Sequence, residues 1–414
     1  MSSPAQDPVS RLFTKVGAWI DRSVPRVHAF WQRVTEGIEL QELWRQFVAE
    51  ARVSYSLYSS EVDWKSVEHK QHGKRALAVA RAFFWAMLLK LSPARRVFLL
   101  FALVMSVLAL LDVRLEFGER TRIDWSGQHF FILAAASYLL LLALELADRV
   151  TMKRDLEIAR DIQRRLVPAG PPVVPGFDIA FATRPANTVA GDYYDAFLRS
   201  LKSAASAPAH LVVAVADVAG KGVPAALVMA TFQASLRTLA LEATSLPELV
   251  AGLNGYACRH GVGGQRFITA FLADIDVETR ALSYINAGHN PPLLRRGSGE
   301  LEQLEAGGLP FGIKLDAPYE AGAVSLAPGD LLLVFTDGVV EAQNESGEEY
   351  GDTRLVELLK AAPQGGAADQ LKHLMNSVDG FVRSTRQHDD ITCLFLQVSS
   401  TPKGGLESKI SEAG

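Results

Sequence analysis

The stretch "HLVVAVADVAGKGVPAAL", residues 210–227, decides the fold. It begins as an apolar run of strand length, carries one carboxylate at Asp217, and breaks at Gly220, Lys221 and Gly222. An apolar run ended by glycines reads as a buried strand, and the spacing after Val223 reads as a helix. Three readings of the break are open: a phosphate cradle, a metal site, or a strand ending in a turn. The spacing G-x-x-x-x-G-K-[ST] is absent, which removes the nucleotide-binding loop.

Runs of the same kind recur on both sides. They are "FDIAFAT", "FITAFLADID", "ALSYINAG", "DLLLVFTD" and "ITCLFLQV". Helical patterns appear in "VPAALVMATFQASLRTLALEA", "LPELVAGLNGYACRHG", "GDTRLVELLKAA" and "AADQLKHLMNSVDGFVR". Two helices in succession fall between strands, so the order is not a regular βαβ alternation. Strands grouped apart from helix pairs predict a layered α+β domain over residues 169–398.

Four segments of this domain place aspartate at the edge of an apolar run. They are "AGDYYDAF" (Asp192, Asp195), "AVADVAGKG" (Asp217), "VFTDGVVEA" (Asp337) and "RQHDDITCLF" (Asp389, Asp390). A single strand-end aspartate is usually a turn residue. Brought together, such carboxylates repel unless cations neutralise them or some take up protons. No histidine or cysteine cluster accompanies them, and all-oxygen ligation points to Mg²⁺ or Mn²⁺ rather than zinc. Two such ions lower the pKa of a shared water and hold phosphoryl oxygens, which suits direct hydrolysis of a phosphate monoester.

In order and approximate spacing, the set "GDYYD … DVAGKGVPAAL … NAGHNPPLL … TDGVVEA … HDDIT" resembles the SpoIIE/RsbU-like branch of the metal-dependent PPM (type 2C) serine/threonine phosphatases. The resemblance covers about residues 150–398. It implies a PPM-type α-β-β-α layered sandwich with two Mn²⁺ or Mg²⁺ ions at one end. Carried over by position, Asp217 bridges both ions and is the catalytic centre, and the Val218 carbonyl is a further ligand. Asp337 and Asp389 bind the first ion. Asp192 holds the second directly or through water, with Asp195 assisting, and Asp390 binds or orients ligands. Many eukaryotic members have a histidine two residues after the bridging aspartate; Ala219 stands there in this chain. His289 reads as a turn residue before Pro291, and Lys221 as a solvated turn lysine or a contact for substrate phosphate. The resemblance implies a phosphoserine or phosphothreonine protein as substrate, in this branch often a STAS-domain anti-sigma-factor antagonist in a partner-switching pathway. The alternative is a catalytically inactive scaffold of the same fold that binds phosphoproteins. Such a scaffold is expected to lose acidic positions, and this chain retains them.

The N-terminal third lies outside the resemblance. Residues 1–92 read as helical and carry no assignable function. Residues 93–147 hold two apolar runs, "VFLLFALVMSVLALL" and "FILAAASYLLLLALEL". Each is shorter than the ~20 apolar residues a spanning helix prefers, but Lys90, Arg95 and Arg96 precede the first, and Arg149, Lys153 and Arg154 follow the second. Snorkelling basic side chains lengthen the effective span, and cationic outer flanks favour two cytoplasmic ends. We therefore expect two membrane helices, 97–113 and 130–147, as a multi-pass anchor in the cell membrane with the catalytic domain in the cytoplasm. The connection "DVRLEFGERTRIDWSGQ" is too short for a folded sensor. Residues 148–168 form a linker helix ended by Pro168, Pro171 and Pro172, with Met152, Leu156, Ala159 and Leu166 near a 3.5-residue spacing that Gln163 interrupts. This is either a short parallel coiled coil joining a homodimer or an amphipathic helix packed on its own domain. Leu156 and Ala159 are the candidate regulatory positions. In this branch such a linker, and the helices after the "DVAGKG" strand, control assembly of the site.

The formal net charge of −4 without long single-sign runs argues against nucleic acid as a partner. Cys258 and Cys393 are too few and too far apart for a disulfide framework or a thiolate metal site. The polar tail, 399–414, reads as disordered.

Overall fold

The computed structural model describes residues 85, 88, 91–110, 113–117, 121–125, 127–200, 209–261, 266–361, 365–385 and 387–399. Most of the expected helical region 1–92 and of the expected disordered tail lies outside these residues. The chain divides into two compact units, Met1–Ala147 and Asp148–Gly414.

In the first unit, α1 spans Pro93–Ala109 and α2 begins at Gly127. The first apolar helix therefore starts and ends four residues earlier than the expected 97–113. Pro93 suits the first helical turn because its φ is fixed and its missing amide hydrogen is not needed there. The connection holds a hairpin, β1 (Val113–Phe117) against β2 (Thr121–Trp125), with Leu115 opposite Ile123. Its sequence alternates apolar and charged residues, the period of a strand. Arg95 donates to the Leu144 carbonyl at 3.2 Å, and Ser106 Oγ meets Tyr138 OH at 3.2 Å, so the two helices run antiparallel. The large apolar side chains Val97, Val104, Val107, Phe131, Leu139 and Leu142 are exposed.

Helix α2 runs without a break from Gly127 to Leu166, 40 residues, across the expected division between second span and linker. No glycine or proline lies between Gln128 and Leu166, so nothing interrupts the hydrogen-bond ladder. Among the described residues it is the one helix long and apolar enough to cross a membrane, with a mean hydropathy of 2.2 over its most apolar window. Two such helices were expected; α1, at 17 residues, falls short of that length.

In the second unit, the strands are β3 (Phe177–Arg184), β4 (Tyr193–Ser200), β5 (Ala209–Val218), β6 (Ile268–Asp276), β7 (Ala281–Ala287), β8 (Leu293–Arg295), β9 (Leu301–Gln303), β10 (Gly307–Gly308), β11 (Gly322–Ser325), β12 (Leu331–Phe335) and β13 (Ile391–Val398). They form two sheets, ordered β10-β7-β6-β5-β4 with β11 also on β7, and β3-β13-β12-β8-β9. Helices α3 (Val223–Leu239) and α4 (Leu246–His260) follow β5; α5 (Gly351–Lys360) and α6 (Ala367–Val382) precede β13.

Three apolar layers hold these elements together. Val212, Ala214 and Ala216 of β5 pack with Met229, Phe232 and Leu236 of α3 and Leu249 and Leu253 of α4. The alternate residues Leu211, Val213 and Val215 face Leu332, Val334, Leu394 and Leu396 of the other sheet. Leu333, Cys393 and Phe395 lie against Leu355, Leu359, Leu374 and Val378 of α5 and α6. The layers are thus helix, sheet, sheet, helix. Strand β5 is apolar on both faces because both are covered, which explains its unbroken apolar run. Ser245 accepts from the Glu248 amide and caps α4, so two separate helices lie between β5 and β6.

Candidate active site

Antiparallel pairing places the end of one strand beside the start of its neighbour. Strand β4 pairs β5 with Tyr193 opposite Ala216, so Asp192 adjoins Asp217. Strand β12 pairs β13 with Phe335 opposite Cys393, so Asp337 lies near Asp389 and Asp390. Both sheets deliver these ends to the same edge of the sandwich.

The resulting electrostatics show how close the groups are. Burial, then the charge of Asp337 and then those of Asp389 and Asp390, push the Asp217 carboxyl up to about 6; a hydrogen bond with Asp192 offsets part of this. Asp192 is raised well above the ordinary carboxylate range, first by burial and then by Asp217. Asp337 is raised by burial and by Asp389. Carboxylates that favour protons in this way equally favour a cation.

Each residue has a distinct setting. Asp192 is buried, and Thr336 Oγ1 donates to it at 2.8 Å. Asp217 is partly open at the end of β5. The Val218 carbonyl lies beside Gly191, where an added Cβ would sit 3.3 Å from it. Gly220 and Gly222 turn the chain from β5 into α3 with φ of 104° and 76°, values that favour glycine. Asp337 opens a short 3₁₀ turn, Asp337–Val339. Gly338 passes so close to the Asp390 carbonyl that a Cβ would lie 1.9 Å from its oxygen. Asp390 accepts from the Ala186 and Gly191 amides, each at 2.7 Å, and so fixes the loop leading to Asp192.

Asp195 does not join this group. It is fully buried on β4, and both its oxygens accept from Arg237 at 2.7 Å; Tyr193 OH donates to it as well. Its carboxylate is occupied in joining β4 to α3.

Two residues, Glu341 and Gln163, enter that the sequence reading did not assign to the site, and a third, Lys221, enters with a partner that reading did not name. Glu341 offers an oxygen that lies, with one each from Asp337 and Asp389, in a set mutually within 4.8 Å. The signal was its place four residues after Asp337, one helical turn on. Lys221 Nζ meets Asp389 Oδ2 and the His388 carbonyl, both at 2.7 Å, so its ammonium is ion-paired although the side chain stays half-exposed. Gln163 donates to the Ala190 carbonyl at 2.7 Å and accepts from the Ala190 amide at 3.0 Å. The residue that interrupts the apolar spacing is therefore the one that docks the 148–166 segment of α2 on its own domain. Ala159 lines an apolar cavity of about 140 Å³ with Leu166, Val189, Val223, Leu227 and Ala230, while Leu156 is half-buried outside that cavity.

His289 is held in a turn: its amide donates to Asn286 Oδ1 at 2.7 Å, Asn286 Nδ2 donates to its carbonyl at 2.9 Å, and Nδ1 meets Thr269 Oγ1 at 3.1 Å. Burial pushes its pKa down to about 4, so it is neutral. The side chain of His388 is exposed.

The donor set is all oxygen, with five aspartates sharing one end of the sandwich and, among the described residues, a single lysine ion-paired to it. That composition fits hard divalent cations.

The sequence profile of Stage II sporulation protein E (SpoIIE) matches residues 207–399. The chain is 30% identical over 248 residues to phosphoserine phosphatase RsbU of Bacillus subtilis, covering 59% of this chain and 70% of that protein. It is 28% identical over 316 residues to protein IcfG of Synechocystis sp., covering 69% of this chain but spanning only 48% of that relative. Among solved structures, the SiaA-PP2C domain of Pseudomonas aeruginosa superposes with a TM-score of 0.51 at 22% identity, covering 61% of this chain and 98% of that domain, a likeness of fold. The chain belongs to the SpoIIE/RsbU-like branch of the metal-dependent PPM (type 2C) serine/threonine phosphatases.

Proposed function

We propose that the chain is a membrane-anchored protein serine/threonine phosphatase that uses two Mn²⁺ or Mg²⁺ ions held by the strand-end aspartates of residues 169–398. The observation that carries this reading is the convergence of Asp192, Asp217 and Asp337, each raised by burial and by its acidic neighbours, with Asp389, whose carboxylate lies within 4.8 Å of that of Asp337. Asp217 would hold the ions together with the Val218 carbonyl beside it, Asp337, Asp389 and Glu341 would hold one of them, and Asp192 the other. Such ions would supply a lowered water pKa and charge neutralisation at the phosphoryl oxygens. The remaining work falls to the chain. Asp390 holds the Ala186–Gly191 loop, Thr336 orients Asp192, and the paired strands fix the spacing of the carboxylates. Ala219 has no proton to give, and the buried His289 is committed to its turn.

The substrate class rests on family membership: a phosphoserine or phosphothreonine protein, with a STAS-domain antagonist as the leading candidate. The exposed apolar side chains of α1 and of Phe131–Leu146 in α2 support a helical hairpin in the membrane, and the basic flanks Arg95, Arg96, Arg149, Lys153 and Arg154 favour the cytoplasmic side for the catalytic domain. Exposed Met152, Ile158 and Ile162 support pairing of two copies along the linker. The test is Mn²⁺-dependent phosphate release by the full-length protein from phosphoserine and phosphothreonine peptides, against a phosphotyrosine peptide and a small phosphoester. Turnover of the first two alone is expected. Turnover of the small ester alone would sink the protein-phosphatase reading.

A further inference from the structure

Lys221 occupies an unexpected place. It lies in the Gly220–Gly222 turn, between the strand that carries Asp217 and the helix α3. Its ammonium reaches across to Asp389 Oδ2 and the His388 carbonyl, 2.7 Å from each. Asp389 comes from a segment 168 residues further on, so this contact is tertiary and not local. The pair is partly open to solvent, with 52% of the Lys221 side chain and 32% of the Asp389 side chain exposed. On the same side a cavity of about 110 Å³ is lined by Lys221, Arg184, Glu341, Gln387, His388 and Asp389, among others.

An ammonium 2.7 Å from one carboxylate oxygen takes the electrostatic position that a divalent cation on Asp389 would take. The two cannot share that oxygen without strong repulsion, because like charges at contact distance raise each other's energy. The lysine stem is flexible, and the glycines on either side leave its backbone loosely specified, so it can leave at little cost. Once displaced, the ammonium stays tethered at the wall of the cavity next to the acidic cluster. An anionic oxygen is the partner that suits it there.

We propose that Lys221 exchanges partners. It is the internal counter-ion of Asp389 in the metal-free centre, and it is released by the first metal ion to contact the substrate's phosphate. This rests on the phosphatase reading of the site. The exchange also moves a residue two positions from the start of α3, so metal occupancy is felt at the helix that covers the first sheet.

The test uses the full-length protein and two probes, Mn²⁺ alone and inorganic phosphate. Mn²⁺ binding is followed by electron paramagnetic resonance or calorimetry without substrate, in wild type, Lys221→Met and Lys221→Arg. Loss of the competitor should tighten Mn²⁺ binding by Lys221→Met about two- to fivefold, the worth of a partly exposed ion pair. The gain should fade at high salt. Lys221→Arg should stay near wild type. In the Mn²⁺-loaded protein, binding of inorganic phosphate by Lys221→Met should weaken by about threefold or more. Unchanged or weaker Mn²⁺ affinity in Lys221→Met, or unchanged phosphate binding, overturns the exchange. A wild-type protein that binds no Mn²⁺ would instead overturn the reading of the site itself.

Discussion

Arg237 of α3 grips both carboxylate oxygens of Asp195 on β4, three residues beyond Asp192. The guanidinium also lies 4.0 Å from the centre of the Phe197 ring. The far end of the helix that begins at Val223 is thus tied to the strand that begins beside the site. Arg237→Met leaves a buried carboxylate without its charged partner, with Tyr193 OH still donating to it. Because Arg237 is 41% exposed and water reaches it, we expect a loss of about 1–3 kcal/mol rather than the full cost of a broken buried pair. The double variant with Asp195→Asn should recover part of this in thermal unfolding. No loss in the single variant would show that the clasp is dispensable.

Docking of the linker gives a second prediction. Gln163→Ala removes both hydrogen bonds to Ala190, two residues before Asp192, and should cost about 1–2 kcal/mol. Ala159→Glu drives a charge into the apolar cavity between linker and α3. Both should weaken Mn²⁺ binding with little change in helix content by circular dichroism. Mn²⁺ affinity equal to wild type in both would separate the linker from the site.

Repulsion within the carboxylate group makes the metal-free protein sensitive to pH. A carboxyl raised from 3.8 to about 6 favours the folded state most below pH 4, and that contribution is lost as pH rises through 6. Asp217→Asn removes it. In the presence of a chelator at pH 7.5, this variant should be more stable than wild type by about 1–2 kcal/mol, and adding Mn²⁺ should stabilise it less. A less stable metal-free variant would contradict the charge argument.

His289 acts in the opposite direction. Its pKa falls from 6.5 to about 4, so the unfolded chain binds a proton in that window that the folded chain does not. Stability is fully present above pH 6.5 and is lost as pH falls towards 4, by at most about 1.4 kcal/mol per pH unit. Denaturant unfolding from pH 7 to 4.5 should show a shallower acid loss for His289→Gln than for wild type.

Much of the site was legible because Asp192, Asp217, Asp337 and Asp389 each end or precede an apolar run, and antiparallel pairing gathers such ends. The domain's strands and helix pairs were legible for the same reason: burial on both faces leaves unbroken apolar runs. Asp195 misled because its chemistry is set by Arg237, 42 residues away, and no local pattern announces that partner. Gln163 misled similarly, since a break in an apolar spacing looks like a solvated position until the fold supplies Ala190, and the partner of Lys221, Asp389, lies 168 residues away, where no local pattern points to it. The hairpin β1–β2 was overlooked, although the alternation of Val113–Phe117 carried its signal.

The most direct test of the central claim is the initial rate of phosphate release from a phosphoserine peptide as Mn²⁺ is titrated into wild type and Asp217→Asn. The account predicts saturable Mn²⁺ dependence in wild type and a loss of at least about 100-fold in the variant at every Mn²⁺ concentration. Equal rates in the two proteins, or a wild-type rate indifferent to Mn²⁺, would contradict it.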